Sequence, residues 1–351
     1  MQQKIIFATD LCRELDEWIE KTGKKYDRFF VLSDTVTEEL CLPFLRNSRF
    51  LSDAPSIVIG ATDTHKTLES LASVWKALGE NGASRHSLLV NLGGGMVTDL
   101  GGFAASTFKR GIDFVNIPTT LLAMVDAAVG GKTGINFNGF KNEVGVFNES
   151  RLVVIDTDFL RSLDEENLKS GYAEMLKHAL LSNEAMLAEH LNFDLEYPDY
   201  VHLQKLVADS IAVKQRIVTE DPHEQGIRKA LNLGHTVGHA FESLALELNR
   251  PVLHGYAVAW GLAAELYMSV VLTGFPEEKM RQTFNFIREN YGRFDFTCDH
   301  YGKLFEFMTH DKKNVGGVVN FTLLGGVGDI RLDCHADKAL LEEVFDFLRE
   351  S

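Results

Sequence analysis

The sequence predicts two domains: an α/β domain with a parallel sheet over residues 1–160, then an all-α domain over residues 161–351. Three observations predict this. A chain of 351 residues exceeds what one typical core organises. Up to residue 160, short apolar runs alternate with amphipathic stretches, the pattern of βαβ units and a sheet covered on both faces. Beyond it, apolar residues recur at helical spacing, as in Tyr172, Met175, Leu176, Ala179 and Leu180.

Taken in order, the apolar runs Lys4–Ala8, Arg28–Leu32, Ser56–Ile59, Ser87–Leu92, Asp113–Ile117 and Leu152–Ile155 read as strands. The helices between them fall at Leu11–Lys21, Lys66–Leu78, Val97–Thr107 and Thr119–Val129. Amphipathic stretches then predict helices at Lys169–Ser182, Tyr200–Val218, Gly234–Leu248, Gly255–Val271, Glu277–Glu289 and Tyr301–Thr309. Gly325-Gly326-Val327-Gly328 turns a hairpin between Val318–Leu324 and Asp329–Leu332, and a last helix covers Ala336–Leu348.

Bulk properties narrow the function classes. A formal net charge of −15 argues against nucleic acid as a partner, because phosphates need a basic face. A local cluster of cations can still oppose that sign for a small anionic substrate. No uninterrupted apolar run approaches the roughly 20 residues that span a bilayer, so no membrane role is expected. MQQKIIFATD has no cationic region leading into an apolar core, so a cytoplasmic location is expected. Cys12, Cys41, Cys298 and Cys334 are scattered without a CxxC pair and read as reduced packing or surface thiols.

Two stretches carry chemistry. Gly93-Gly94-Gly95-Met96-Val97-Thr98-Asp99 follows a buried strand and opens a helix. Glycine there lets the backbone approach a ligand, and the helix start offers N–H groups to a phosphate. The spacing is not GxGxxG, since position 98 is threonine, and a turn needing glycine for packing alone would look similar. The next strand ends at Pro118-Thr119-Thr120, where either threonine can cap a helix facing the same crevice. Gly130-Gly131-Lys132-Thr133-Gly134 places a lysine and backbone amides in one tight turn, a candidate anion nest without P-loop spacing.

The second stretch is dispersed. In GYAEMLKH, Glu174, Lys177 and His178 share a helical face, which alone would suit a solvated Glu–Lys pair. In NLGHTVGH, His235 and His239 lie one turn apart, the spacing of a zinc pair, and His254 precedes another helix start. The absence of HExxH argues against a metalloprotease.

Together these stretches resemble the 3-dehydroquinate synthase family. The matching text is GGGMVTDLGGFAASTFKRG, IPTTLLAMVDAAVGGKTGIN, KNEVG, GYAEMLKHAL, RKALNLGHTVGHAFE, LHGYAV and DKKN, in family order. The resemblance implies a Rossmann-like NAD-binding domain, a helical metal- and substrate-binding domain, a zinc or cobalt ion, and a homodimer. It implies metal ligands Glu174, His235 and His254, and gives His239 to the substrate phosphate instead. NAD would be contacted by Gly94, Gly95, Met96, Asp99, Thr119, Thr120 and Leu122, with Asp34, Asp63 and Lys66 toward the adenosine. Asp126, Lys132 and Lys141 would touch both NAD and substrate. Asn142, Lys177, Lys214, Arg228, Asn232 and Lys312 (or its neighbour Lys313) would complete the substrate site. Lys214 and Arg228 would face a carboxylate, a task suited to a guanidinium fork. Lys132, Asn142, His239 and Lys312 would face the phosphate, joined by Arg110 of the partner subunit. The first 70 residues depart from the pattern: Asp34-Thr35-Val36 lacks the usual asparagine, and Asp63-Thr64-His65-Lys66 has aspartate for glutamate.

The implied reaction converts 3-deoxy-D-arabino-heptulosonate 7-phosphate to 3-dehydroquinate and phosphate, a step of the shikimate pathway. Transient oxidation of a hydroxyl acidifies the neighbouring C–H, which accounts for NAD in a reaction without net redox change. Phosphate elimination, re-reduction and an intramolecular aldol closure follow, with His178 a candidate proton relay. The rivals are an inosose or valiolone synthase, a metal-dependent polyol dehydrogenase, and a silent dinucleotide sensor.

Overall fold

The computed structural model describes residues 3–309 and 319–350, arranged as two compact units, Met1–Asp164 and Glu165–Ser351. In the first unit, β1 (Lys4–Phe7), α1 (Leu11–Lys21), β2 (Phe29–Asp34), α2 (Thr35–Leu40), β3 (Ser56–Ile59), α3 (Leu68–Glu80), β4 (Leu88–Gly93), α4 (Gly95–Thr107), β5 (Asp113–Pro118), β6 (Lys132–Phe137), β7 (Phe140–Phe147) and β8 (Leu152–Ile155) follow in order. Six of these strands form a parallel sheet in the order β1–β8–β5–β4–β2–β3. β4 is buried along its whole length, as a central strand covered on both faces must be. Leu71, Val74, Leu78, Val97, Leu100 and Ala104 from α3 and α4 pack on Phe30, Leu32 and Leu89. The chain builds outward from β2 to β3, then returns to place β4 on the other side of β2. That reversal brings the carboxyl ends of β2, β4 and β5 side by side, the place where open α/β sheets hold ligands.

The second unit contains α5 (Glu165–Leu180), α6 (Glu184–Leu191), α7 (Tyr200–Glu220), α8 (His235–Glu247), α9 (His254–Thr273), α10 (Glu277–Tyr291), α11 (Tyr301–Thr309), β9 (Phe321–Gly326), β10 (Asp329–Cys334) and α12 (Lys338–Glu350). Among its described residues it is helical apart from the β9–β10 hairpin, so it is not strictly all-α. Among the described residues, α9 is the one helix long and apolar enough to cross a bilayer, with mean hydropathy 1.4. It is 72% buried over that window, as the core helix of this unit.

Three local expectations are corrected. The helix expected over Thr119–Val129 is a short π-helical turn, Ala123–Ala127, a form frequent at functional sites. Lys66 lies outside α3, which starts at Leu68 because Thr67 accepts from Ser70 N–H and caps it. The Gly130–Gly134 nest is instead a two-glycine turn leading into a hairpin. Gly130 (φ 99) and Gly131 (φ 70) make the turn, and Lys132 then opens β6, paired antiparallel with β7. Gly130 N–H donates to Gln3 Oε1, so that amide serves the fold. The hairpin escaped the sequence reading because GKTGIN and FKNEVGVF lack both a strong apolar alternation and a marked turn pair.

Candidate functional site

In the first unit, the glycines at the end of β4 sit at close approach to the next loop. A Cβ on Gly94 would lie 3.1 Å from Thr120 Cγ2, and one on Gly95 3.1 Å from Ala127 Cβ. Gly94 is the N-cap of α4 and brings no side chain to cap it, so the helix start faces the crevice with its dipole uncapped. Met96 is half-buried beside it. Thr119 N–H donates to Gly93 O, joining the β4 and β5 loops. Of the two threonines, Thr120 is the cap: its Oγ1 accepts from Ala123 N–H at 3.2 Å. Leu122 and Asp126 are half-buried on the same turn.

Asp34, Asp63, Lys66, Asp99 and Asn142 are more engaged with one another and with backbone than the sequence suggests. Asp34 caps α2, accepting from Val36 and Thr37 N–H at 2.9 Å each. Lys66 is buried; its Nζ donates to Asp99 Oδ2 at 2.6 Å and also reaches Asn142 Oδ1. Asn142 sits in the left-handed region (φ 50), and its N–H donates to Asn136 Oδ1. Asn136, missed by the sequence reading, also donates to Asp63 Oδ2 and ties the hairpin to the Asp63 turn. Lys132, Lys141 and Arg110 are exposed, with Lys141 Nζ 3.8 Å from Asp63 Oδ2.

In the second unit, α5, α8 and α9 bring Glu174, His235 and His254 to one point. His235 Nε2 and His254 Nε2 lie 3.2 and 3.3 Å from the same oxygen, Glu174 Oε1. Glu174 is fully buried, and Lys177 Nζ sits against its other oxygen. The expected solvated face is therefore corrected: Glu174, Lys177 and His178 are all interior. Neither Glu174 oxygen has a partner aligned for a hydrogen bond. His235 Nδ1 lies 3.1 Å from Leu233 O. A carbonyl only accepts, so Nδ1 carries the proton and Nε2 presents a lone pair to the carboxylate. Two acceptors facing each other in a buried site repel unless a cation lies between them.

The protonation pattern has the same cause. Burial raises the Glu174 carboxyl, but Lys177 outweighs it and holds it well below the usual range. Burial, with Lys177, pushes His235 down to about 3. Burial also lowers His254, but Glu174 and Glu242 overcome it and draw it up to about 10. Glu242 Oε2, 3.7 Å from His254 Nδ1, is a second residue the sequence reading missed. Among the described residues, His239, Glu242 and His254 form another ligand-bearing group sharing His254. The His239 ring lies edge-on to His235, with centroids 5.4 Å apart.

Arg228 is almost fully buried, with Nη1 donating to Pro222 O at 2.6 Å. Asp221 accepts from Gly226 and Arg228 N–H and fixes that turn. Lys214 is buried on α7, and Asn232 Nδ2 donates to Glu224 Oε1 at 3.2 Å. His178 Nδ1 lies 2.7 Å from Ser210 Oγ. Lys312 and Lys313 fall outside the described residues.

Comparison with known proteins assigns the chain. Residues 56–170 match the profile of the 3-dehydroquinate synthase N-terminal domain, and residues 171–314 that of its C-terminal domain. The chain belongs to the 3-dehydroquinate synthase family. The 3-dehydroquinate synthase of Parabacteroides distasonis is 55% identical over 350 residues, covering 100% of this chain and 99% of the relative. Two solved structures share the fold at 23% identity each. A 2-deoxy-scyllo-inosose synthase complexed with carbaglucose-6-phosphate, NAD+ and Co2+ has a TM-score of 0.85, covering 99% of this chain and 96% of that one. The 2-epi-5-epi-valiolone synthase of Streptomyces hygroscopicus, with NAD+ and Zn2+ bound, has a TM-score of 0.83, covering 100% and 97%.

Proposed function

We propose that this chain carries out its family's reaction, 3-deoxy-D-arabino-heptulosonate 7-phosphate to 3-dehydroquinate and phosphate, as a cytoplasmic homodimer using NAD and zinc or cobalt. The observation that carries this is the convergence of two imidazoles on one buried carboxylate oxygen, in a chain 55% identical over its length to a 3-dehydroquinate synthase. The donor set of one carboxylate and two imidazoles suits a catalytic ion with open positions.

The first unit is the NAD domain. The start of α4 holds the pyrophosphate, with Gly94, Gly95 and Met96 alongside, and Thr119, Thr120 and Leu122 line the neighbouring loop. Asp99, held by Lys66, and Asp63 accept from sugar hydroxyls. Asp34 contributes less, since one oxygen already caps α2. Asp126, Lys132, Lys141 and Asn142 are this unit's polar contribution to substrate. The second unit is the metal and substrate domain, with Glu174, His235 and His254 as ligands. Bound NAD supplies a reversible hydride acceptor, and the ion a Lewis acid for the hydroxyl being oxidised. Lys177 balances Glu174 and keeps it ionised in the interior. Arg228, with Lys214, grips the substrate carboxylate; His239 and Lys312 bind the phosphate.

The reaction generates its own leaving group and electrophile, so orientation is the larger protein contribution, on the order of several kcal/mol. The homodimer reading is supported by β7, where Phe140, Val144, Val146 and Phe147 are all exposed. A partner covering that strand accords with delivery of Arg110 of the partner subunit to the phosphate. The test is phosphate release from the heptulosonate phosphate with NAD and zinc. The reading expects release from this substrate and far less from a sugar phosphate lacking the carboxylate; equal release from both overturns it.

A further inference from the structure

Helix α8 begins with His235, yet it has no cap of its own. Its N-cap is Gly234, left-handed at φ 79 and without a side chain to offer. The N–H groups of a first turn still need acceptors when they are buried. A single carboxylate from another helix supplies them. Glu265 Oε2 accepts from Gly234 N–H at 2.6 Å, and Oε1 accepts from Thr236 and Val237 N–H at 3.1 and 3.3 Å. Glu265 is fully buried, in the middle of α9.

The location of that carboxylate matters more than its energy. α9 starts at His254, and Glu265 lies eleven residues on, three helical turns later and on the same face. Between them, Gly261 touches the α8 start directly, since a Cβ there would lie 1.9 Å from Gly234 O. The amides on both sides of His235 are therefore held by the helix that carries His254. Thr236 N–H belongs to the peptide plane leading out of His235, so its bond to Glu265 fixes the direction of the imidazole. A parallel device joins α9 to α5: Gly255 N–H, next to His254, donates to Ser170 Oγ at 3.0 Å, one turn before Glu174. The starts of α8 and α9 are thus capped by side chains of α9 and α5 rather than by local residues.

We infer that Glu265 is a positioning residue of the metal centre, acting through the α8 start to hold His235 within reach of the ion bound by Glu174 and His254. The inference rests on the reading of those three side chains as metal ligands. A local Ser or Asp cap would satisfy the same amides but would not tie them to α9. Metal-supporting residues beyond the ligands typically change affinity by about 10- to 100-fold when replaced.

The test uses the full chain stripped of metal, as wild type, Glu265→Gln, Glu265→Asp and His235→Ala. Zinc affinity is measured by competition with a chromophoric chelator. The visible spectrum of the cobalt-substituted protein reports ligand geometry, and unfolding of the metal-free protein reports the cap. Glu265→Gln is expected to bind zinc about 10- to 100-fold more weakly with an altered cobalt spectrum. Glu265→Asp keeps the charge but withdraws it by one methylene, and is expected to fall between that variant and wild type. A cap with only a structural role would lower the stability of the metal-free protein and leave affinity and spectrum unchanged. Folded Glu265→Gln with wild-type affinity and spectrum overturns the inference; if that variant does not fold, Glu265→Asp decides by the same criterion. Zinc binding in His235→Ala equal to wild type overturns the ligand assignment itself, and the inference with it.

Discussion

Gly261→Ala is the smallest change that separates α8 from α9. Gly261 has no freedom to accept a Cβ: the added atom would lie 1.9 Å from Gly234 O, 2.7 Å from Gly238 N and 2.9 Å from Gly234 C. All three are backbone atoms of the α8 start, so no side chain can swing aside. To restore even a tight ordinary contact, the 1.9 Å approach must open to 3.4 Å, a local displacement of about 1.5 Å. Metal–ligand distances tolerate about 0.2 Å, so a shift of that size between the helices bearing His235 and His254 exceeds the tolerance several-fold. Overpacking costs about 1–3 kcal/mol, offset by up to about 1 kcal/mol because alanine favours helix over glycine. The expected outcome is a metal-free protein destabilised by about 1–2 kcal/mol and a zinc affinity lowered at least about 100-fold. Denaturant unfolding and chelator competition measure the two. Gly302→Ala, in α11 with no atom within 4 Å of the added Cβ, is the control: it should leave zinc affinity unchanged and stabilise the protein by up to about 1 kcal/mol. Wild-type zinc affinity in Gly261→Ala would refute the claim that α8 and α9 share the ion.

Three further outcomes are expected. His254→Ala should abolish stoichiometric zinc with little loss of fold in the metal-free protein, read by metal analysis and circular dichroism; retained zinc would contradict the ligand set. Arg228→Ala should reduce discrimination for the carboxylated substrate by more than about tenfold, read from kcat/KM on substrates with and without the carboxylate, and unchanged discrimination would contradict the assignment. Asp113 gives a pH signature away from the site: burial raises its carboxyl, but bonds from Lys24, Arg151 and Tyr26 outweigh that and hold it below the usual range. A carboxyl lowered in the folded state adds stability that is full above its unfolded value, about 3.9, and is lost as pH falls through the folded value. Asp113→Asn should thus be less stable than wild type by about 1 kcal/mol at neutral pH. The gap should close in acid unfolding measurements as pH falls through the folded value; a gap independent of pH would contradict this.

Much of this architecture was legible because periodicity reports burial. The strand at Leu88–Gly93 and the helix at Gly95–Thr107, expected at Ser87–Leu92 and Val97–Thr107, stood out since one is mostly apolar and the other follows a run of glycines. The β6–β7 hairpin did not, because β7 is exposed along its length and carries no alternation to read. The His235 and His254 pairing was invisible to spacing, since nineteen residues and a change of helix separate them; only the family resemblance suggested it. Spacing alone favoured His235 with His239. Glu242 and Glu265 looked like ordinary helical acids, and their roles emerge only once α8 and α9 are packed together. Burial likewise changes the meaning of Lys177, from a surface pair to the counter-charge of an interior carboxylate.

The most direct test of the account counts reduced nicotinamide against phosphate during turnover of the heptulosonate phosphate with zinc and a catalytic amount of NAD. The account predicts many equivalents of phosphate per NAD with no lasting accumulation of the reduced cofactor. One reduced nicotinamide accumulating for each substrate consumed, without phosphate release, would contradict it and mark the chain as a net dehydrogenase.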